Sequence, residues 1–220
     1  MKRIAAFILA LALLTGALAG AFAEALDYSY IEELSDIFAL EVDDEGDAFI
    51  YIGYDDPAFQ HKNSPDGYSS LIYTDILVLD YYGDAFPVWR VWVEYLATQP
   101  LDIRVISFQF EGKEYAFDMT DAVYTDDFDG YPLEQCVVIL GADNIDFWYD
   151  LLLALDELET EEDFDQYTVT VSLYGPEDTV TFDLPVDALY FFYFMGDAMM
   201  NLGGLASLME LDGTPMEIVE

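Results

Sequence analysis

The sequence predicts a single α+β domain, built on a mainly antiparallel sheet of about seven or eight strands with helices covering one face. Three observations carry this prediction. Short segments that alternate apolar and polar residues recur along the chain, separated by turn residues. Residues 145–158 space their apolar side chains as an amphipathic helix does, and residues 188–209 form a long apolar stretch suited to a buried helix. Hydrophobic residues make up 54% of the chain, enough to fill a core.

The first 23 residues predict a secretory signal peptide, the element that begins the chain. Lys2 and Arg3 form a short positive start of a bacterial kind, residues 4–14 are apolar, and a small-residue cleavage motif ends at Ala23. The apolar run is broken before it reaches the ~20 residues that a membrane anchor needs. We therefore expect residues 24–220 to fold as one domain outside the cytoplasm, either secreted or in the cell envelope.

A helix, a strand and a loop are predicted next. Residues 27–40 place apolar side chains such as Ile31 and Phe38 at helical spacing, with acids on the opposite side. Residues 48–54 are β-branched and aromatic, as in a strand. Residues 55–70 are rich in Pro, Asn and Asp, which favours a loop.

Four strands then follow as two antiparallel pairs. Residues 71–80 and 88–98 flank a turn, and residues 103–110 and 113–118 flank Glu111-Gly112, a hairpin signal. In the second strand alternate residues share a face, so one face is apolar and the other carries Arg90, Trp92 and Glu94. We expect Arg90 to pair with Glu94.

The second half of the chain predicts five further elements: an acidic loop at 126–130, a strand at 135–140, a helix at 145–158, an acidic linker at 159–165, and a hairpin of strands at 167–173 and 180–184. The strand at 135–140 is apolar on both faces and is therefore expected near the middle of the sheet. Asp143 or Asn144 is the expected N-cap of the helix. Apolar and polar residues alternate strictly in this hairpin, which indicates that the face pointing away from the core is partly exposed to water.

The stretch 188–209 is long enough to cross a bilayer, but Asp197 lies near its centre. We therefore predict no transmembrane segment in the mature chain. The expected structure is one buried helix, or two helices broken near Gly196 with Asp197 as the second N-cap.

The two predicted hairpins resemble each other. Ile106-Ser107-Phe108 matches Val171-Ser172-Leu173 at a separation of 65 positions. Alternation alone produces the apolar matches, so an internal duplication and a chance similarity both stay open.

The charge balance constrains the partners. Six Lys and Arg stand against 45 Asp and Glu, for a formal net charge of −39. Such a surface repels phosphate backbones, so no nucleic-acid partner is expected. It attracts divalent cations, cationic peptides and amine-bearing polymers. The charge fits either a binding role or an adaptation to salt.

No catalytic, cofactor-binding or metal-ligating residue is predicted. The single cysteine, Cys136, has apolar flanks that indicate a buried, inert thiol, and the single histidine, His61, lies far from it in sequence. One Cys and one His argue against a zinc site. The chain also lacks nucleophile-elbow, P-loop, dinucleotide and zinc-protease motifs.

Calcium binding stays open at one acidic segment. An EF-hand loop needs a carboxylate at its twelfth position, but alignment on Gly130 puts Cys136 there. A site of another kind at Asp126, Asp127 and Asp129 is the alternative to a solvated acidic loop.

Three segments share a pattern of strand, turn and helix cap: Ile106-Ser107-Phe108-Gln109-Phe110-Glu111-Gly112-Lys113-Glu114-Tyr115-Ala116-Phe117, then Val138-Ile139-Leu140-Gly141-Ala142-Asp143-Asn144, then Val169-Thr170-Val171-Ser172-Leu173-Tyr174-Gly175 before Val180-Thr181-Phe182. Together they resemble a domain of uncharacterised exported bacterial proteins, over about residues 88–190. The resemblance implies no activity and no site residues.

These observations favour a secreted or envelope-associated acidic binding protein that is not an enzyme and needs no cofactor. The alternative is a hydrolase that uses two carboxylates on cell-wall or dietary polymers. Facing carboxyls in one pocket, one of them with a shifted pKa, would favour the hydrolase.

Overall fold

A computed structural model describes residues 28–43, 47–81, 84–139, 141 and 144–202, and it has the predicted α+β architecture. Within these residues eleven strands form two antiparallel sheets, with four helices against them. The strands are β1 (Phe38–Val42), β2 (Ala48–Ile52), β3 (Ala58–Phe59), β4 (Ser70–Tyr81), β5 (Asp84–Leu96), β6 (Val105–Phe110), β7 (Lys113–Asp118), β8 (Val123–Phe128), β9 (Tyr131–Ile139), β10 (Thr170–Tyr174) and β11 (Thr179–Asp183). The helices are α1 (Ser29–Glu33), α2 (Ile145–Asp156), α3 (Glu161–Gln166) and α4 (Val186–Asn201). The predicted signal peptide lies outside the described residues.

The presence of two sheets is the main difference from the sequence prediction of one. The larger sheet has the order β1-β2-β4-β5-β9-β8, with β3 also paired to β4, and the smaller has the order β11-β10-β6-β7. Alternation specifies which face of a strand is buried but does not name its neighbour. The division between the sheets is therefore not visible in the sequence, and β9, predicted to be central, lies next to the edge strand β8.

One continuous core joins the two sheets through α2. Trp148 of α2 packs against Trp89 of β5 in the larger sheet, with ring centroids 4.3 Å apart. The preceding residue, Phe147, packs against Phe108 of β6 in the smaller sheet at 5.0 Å. All four side chains are fully buried. Neighbouring residues of α2 thus cover both sheets, and burial of four large aromatic rings is a major stabilising contribution.

The buried C-terminal helix is confirmed as α4, which packs on β4 and β5 of the larger sheet. Of the two predicted forms, one helix or two helices broken near Gly196, the structure has the first, because the helix runs unbroken through Gly196. A Cβ atom there would lie 2.0 Å from Cδ2 of Leu152, so the glycine lets α2 and α4 approach closely. This packing outweighs the roughly 1 kcal/mol that glycine costs a helix. Asp197 is not a cap; it accepts a hydrogen bond of 2.9 Å from the Tyr30 hydroxyl.

None of the helices in the described ranges has both the length and the apolar character needed to span a bilayer.

The predicted helix over residues 27–40 is too long. The structure has the short helix α1, and from Phe38 onward the chain forms β1, where Phe38 lies opposite Ile52 of β2. Phe38 is 4% exposed. A residue spaced for a helix face can equally be the buried residue of a strand, and pairing with β2 decides between the two.

Two acidic segments predicted as loop and linker are regular structure. Thr160 and Asp163 form a capping box, in which each side chain bonds the other's backbone N–H, and this starts α3 inside the predicted linker. The predicted loop at 126–130 is the end of β8 and a tight turn at Asp129 and Gly130, with φ values of 53° and 86°. Positive φ at both turn residues matches the twist of a hairpin.

The hairpin at Glu111-Gly112 is confirmed, with φ values of 49° and 76°. The second hairpin, β10–β11, joins it because β6 pairs antiparallel with β10. Ser107 lies directly opposite Ser172 in this pairing. The smaller sheet is therefore two similar hairpins related by an approximate two-fold axis at the two serines, whether or not they arose by duplication.

Asn144 is the N-cap residue of α2, but its side chain does not bond the first turn. Its Oδ1 accepts from the backbone N–H of Gly141 (2.8 Å) and from Nε1 of Trp148 (3.1 Å). The other predicted cap, Asp143, lies outside the described residues. Asn144 thus fixes the strand-to-helix connection and the Trp148 ring.

Candidate functional site

Polar and aromatic side chains gather on one face of the larger sheet. Tyr51 lies opposite Asp75, Asp75 opposite Arg90, and Tyr73 opposite Trp92. Partners across an antiparallel pair share a face. We call the surface formed by these five residues the outer face.

A cavity of about 310 Å³ opens beside the outer face, where the pairing of β2 with β4 ends at Tyr51. Ligand pockets typically measure roughly 300–1,000 Å³, so this one suits a small group. Its walls combine three carboxylates with aromatic rings, the main ones being Glu41, Asp56, Asp75, Tyr51, Tyr73 and Phe191.

Arg90 pairs with Asp75, so the predicted pair with Glu94 is wrong. Nε and Nη2 of Arg90 donate to the two carboxylate oxygens at 2.7 and 2.5 Å, and the side chains are only 8% and 16% exposed. Arg90 also lies over the Trp92 ring at 5.0 Å. Asp75 is the direct cross-strand partner of Arg90, whereas Glu94 accepts from the Tyr73 hydroxyl at 3.1 Å.

The phenols beside the cavity stay protonated at neutral pH. Burial, followed by the charge of Glu94, raises the pKa of Tyr73 far above its ordinary value. A hydrogen bond to Glu41 is the main cause that raises the pKa of Tyr51. Both hydroxyls therefore act as hydrogen-bond donors, and the Tyr51 hydroxyl donates to Glu41 at 2.7 Å.

Asp56 differs from the other two cavity carboxylates. Partial burial of its carboxyl raises its pKa, and the charges of Glu94, Asp55 and Asp75 raise it further, although the residue remains solvent-exposed. Among the described residues no donor contacts its carboxylate, whereas Glu41 and Asp75 each accept from the protein. Asp56 is thus crowded by like charge and open to an external cation.

Cys136 is buried, as the sequence predicts. It is 1% exposed, its thiol donates to the Val93 carbonyl at 3.7 Å, and burial raises the pKa of the thiol well above its usual range. A thiol that stays protonated and enclosed is a poor nucleophile.

His61 contacts a serine, which the sequence analysis missed. Its Nε2 lies 2.9 Å from the Ser70 hydroxyl and 3.2 Å from the Leu96 carbonyl, while its Nδ1 accepts from the backbone N–H of Asn63. With Nδ1 as acceptor, Nε2 carries the proton, and burial lowers the pKa of the ring. Nε2 therefore cannot take a proton from Ser70, and the pair is structural. No motif marks it in the sequence.

The acidic segment considered for calcium does not form a cage of ligands. Oδ1 of Asp126 accepts from the Asp127 backbone, Oδ1 of Asp127 accepts from Gly130, and Asp129 accepts from the Tyr68 hydroxyl. No group of three or more metal-binding side chains occurs in the described part of the chain.

The carboxylate of Glu134 is buried in a different part of the protein, away from the outer face. It is 2% exposed and accepts from the backbone N–H groups of Leu101 (3.1 Å) and Asp102 (2.8 Å). These residues lie between β5 and β6, where the chain passes from one sheet to the other. Glu134 thus holds the connection between the sheets, and burial raises its pKa despite these hydrogen bonds.

Comparison with protein-family models, with curated proteins and with solved structures finds no match for this chain.

Proposed function

We propose that this chain is an exported, non-enzymatic protein that binds cationic groups in the cavity beside the outer face. The observation that carries the proposal is Asp56, a cavity carboxylate that no described donor contacts, next to Glu41 and Asp75. The predicted signal peptide would place this binding outside the cell or in its envelope. The resemblance of residues 88–190 to a domain of exported bacterial proteins stays a prediction.

Few basic side chains of the protein compete for these acids. Four Lys and Arg lie in the described ranges, and three of them are in ion pairs: Lys62 with Asp178, Arg90 with Asp75, and Lys113 with Asp150. The 45 Asp and Glu of the chain are therefore mostly uncompensated, and the resulting net charge of −39 draws cations toward the surface from a distance.

The cavity favours an amine over a metal ion. A divalent cation needs several oxygen ligands placed around one point, and the described residues hold no such group. An ammonium group is satisfied by one carboxylate together with aromatic ring faces, which Asp56, Tyr51 and Tyr73 supply. We therefore favour amine-bearing polymers or cationic peptides as ligands.

A carboxylate-based hydrolase is the second candidate. The raised pKa of Asp56 is the property of a general acid, and Asp75 shares its cavity. Asp75, however, accepts hydrogen bonds from Arg90 and Trp92, and Glu41 accepts one from Tyr51. Neither is open to activate a water molecule, so the arrangement supports binding better than hydrolysis.

The test is calorimetric titration of the purified protein with glucosamine hexamer, which is cationic, and with N-acetylglucosamine hexamer, its neutral counterpart. We expect the cationic hexamer to bind and Asp56→Asn to weaken it about five-fold, since one solvent-accessible charge contact contributes roughly 1 kcal/mol.

The matched control is Asp55→Asn, which removes one charge from the exposed neighbouring residue outside the cavity lining. Equal weakening by both variants would reject the cavity as the site, and equal binding of both hexamers would reject the cation preference. Release of shorter sugars by the wild-type protein, abolished in Asp56→Asn, would instead support the hydrolase.

A further inference from the structure

The edge of the larger sheet at β8 is open. Among the described residues β8 pairs with β9 alone, and no other described backbone group bonds to residues 123–128. One N–H of the strand, that of Asp127, donates to Oδ1 of its neighbour Asp126 at 2.8 Å. Every residue of β8 after Val123 is exposed. Unpaired N–H and C=O groups along a strand are a template for a further strand.

This edge lacks three of the features that usually prevent such pairing, namely Lys, Pro and a β-bulge. Residues 123–128 contain neither Lys nor Pro and pair with β9 in unbroken register. The charges that the edge does carry, on Asp126 and Asp127, repel a second acidic strand but not a cationic one. Two aromatic residues, Tyr124 and Phe128, are each 50% exposed on it. The backbone of β8 is thus accessible and flanked by apolar surface.

The side chains of β8 alternate rings and acids. Tyr124, Asp126 and Phe128 share the face of their partners Gln135, Leu133 and Tyr131, while Asp127 lies on the opposite face. The β8–β9 hairpin takes part in none of the ion pairs of the described chain. Each face of this edge therefore presents an uncompensated carboxylate.

We propose that the β8 edge binds an extended cationic peptide by adding it to the larger sheet as a further strand. The main-chain groups of β8 bond the backbone of the peptide, as in other strand-addition complexes. Basic side chains on alternate faces of the peptide reach Asp126 and Asp127, and their apolar stems lie along Tyr124 and Phe128. This surface is separate from the cavity, which lies at β2 and β4.

The experiment uses three eight-residue peptides as probes, with the repeats Lys-Lys-Thr-Thr (the Lys–Thr peptide), Glu-Glu-Thr-Thr (the Glu–Thr peptide) and Lys-Lys-Pro-Pro (the Lys–Pro peptide). Two consecutive Lys residues lie on opposite faces of an extended peptide, so one can reach Asp126 and the other Asp127. The third keeps the positive charge, but its prolines remove half of the backbone N–H groups from whichever side of the peptide faces β8. Titration is followed by NMR, and amide exchange is measured along residues 123–128. We expect the Lys–Thr peptide to bind and slow exchange there, the Lys–Pro peptide to bind about ten-fold more weakly, and the Glu–Thr peptide not to bind.

A double variant, Asp126→Asn with Asp127→Asn, keeps the Oδ1 acceptors that bond Asp127 and Gly130 and removes two charges. We expect it to bind the Lys–Thr peptide about five-fold more weakly. The control is Glu159→Gln with Glu161→Gln, which removes two exposed charges at the start of α3, outside the larger sheet.

Equal binding of the Lys–Thr and Lys–Pro peptides, or equal weakening by the two double variants, would overturn the proposal and leave only diffuse attraction. Absence of binding, or binding without exchange protection along residues 123–128, would overturn it as well. The readout at residues 123–128 is separate from the cavity, because exchange protection there reports pairing with β8 alone. Protection of residues 123–128 with no effect of Asp56→Asn on binding of glucosamine hexamer would support this proposal and reject the cavity, so the two can fail independently.

Discussion

Replacement of Arg90 by Met is expected to destabilise the protein far more than the loss of a surface cation. Methionine keeps an unbranched apolar stem beside Trp92 but removes both hydrogen bonds to Asp75, at 2.7 and 2.5 Å. The Asp75 carboxylate then remains in a site where it is only 16% exposed, with Trp92 Nε1 as its remaining donor.

The magnitude follows from that burial. Removal of one partner of a buried ion pair typically costs about 3–5 kcal/mol, because the other charge is left uncompensated. Water reaches part of Asp75, so we place the loss near the lower end, at about 3 kcal/mol. Lys62→Met breaks the pair with Asp178, in which both side chains are about half exposed, and we expect a loss below about 1 kcal/mol.

Urea unfolding at neutral pH, followed by tryptophan fluorescence, gives the free energy of unfolding of both variants. A third variant, Arg90→Met with Asp75→Leu, removes the stranded charge and is expected to be more stable than Arg90→Met alone. A loss for Arg90→Met no larger than that for Lys62→Met would refute the reasoning, as would a double variant less stable than the single one.

Three further outcomes are expected. Gly175→Ala places a Cβ 1.9 Å from the Leu101 carbonyl oxygen, and we expect it to lower the free energy of unfolding by about 3 kcal/mol. Gly141→Ala meets open space and is expected to change it by less than about 0.5 kcal/mol. Similar urea midpoints for the two variants would contradict this. Burial raises the folded-state pKa of Glu134, so its ionisation is less favourable in the folded than in the unfolded chain. The stability of the wild type relative to Glu134→Gln is thus expected to fall as pH rises above roughly 4.3, the pKa of a glutamate in the unfolded chain. A stability difference between the two proteins that does not change with pH would contradict this. Because the charge of −39 repels itself, the thermal midpoint should rise as sodium chloride goes from millimolar to molar levels; a flat or falling midpoint would rule this out.

Local signals predicted most of the elements correctly. Glu111-Gly112 marks a turn whose left-handed φ values a glycine accommodates, and the strict alternation of residues 167–184 predicts the β10–β11 hairpin. The prediction of a loop at residues 126–130 misses the end of β8, because the carboxylates of this strand are typical of a loop. Asp129-Gly130 is nevertheless a hairpin turn signal as strong as Glu111-Gly112.

Contacts between distant segments were not predictable in the same way. The partner of Arg90 depends on the register of β4 against β5, and a shift of one residue would place Asp75 on the other face. Asp56 lies in a segment with no motif, and it lines the cavity where the pairing of β2 with β4 ends. Such residues become recognisable when the strands are in place.

The antiparallel contact between Ser107 and Ser172 has a consequence for folding kinetics. The two serines are 65 positions apart in the chain, whereas each hairpin beside them is closed by a turn of a few residues. Hairpins form in roughly microseconds, but a contact of long sequence separation waits for the intervening chain to become ordered, which here includes β8, β9, α2 and α3. We therefore expect the two hairpins to form early and their junction to form late, so that weakening the junction mainly shortens the lifetime of the folded state.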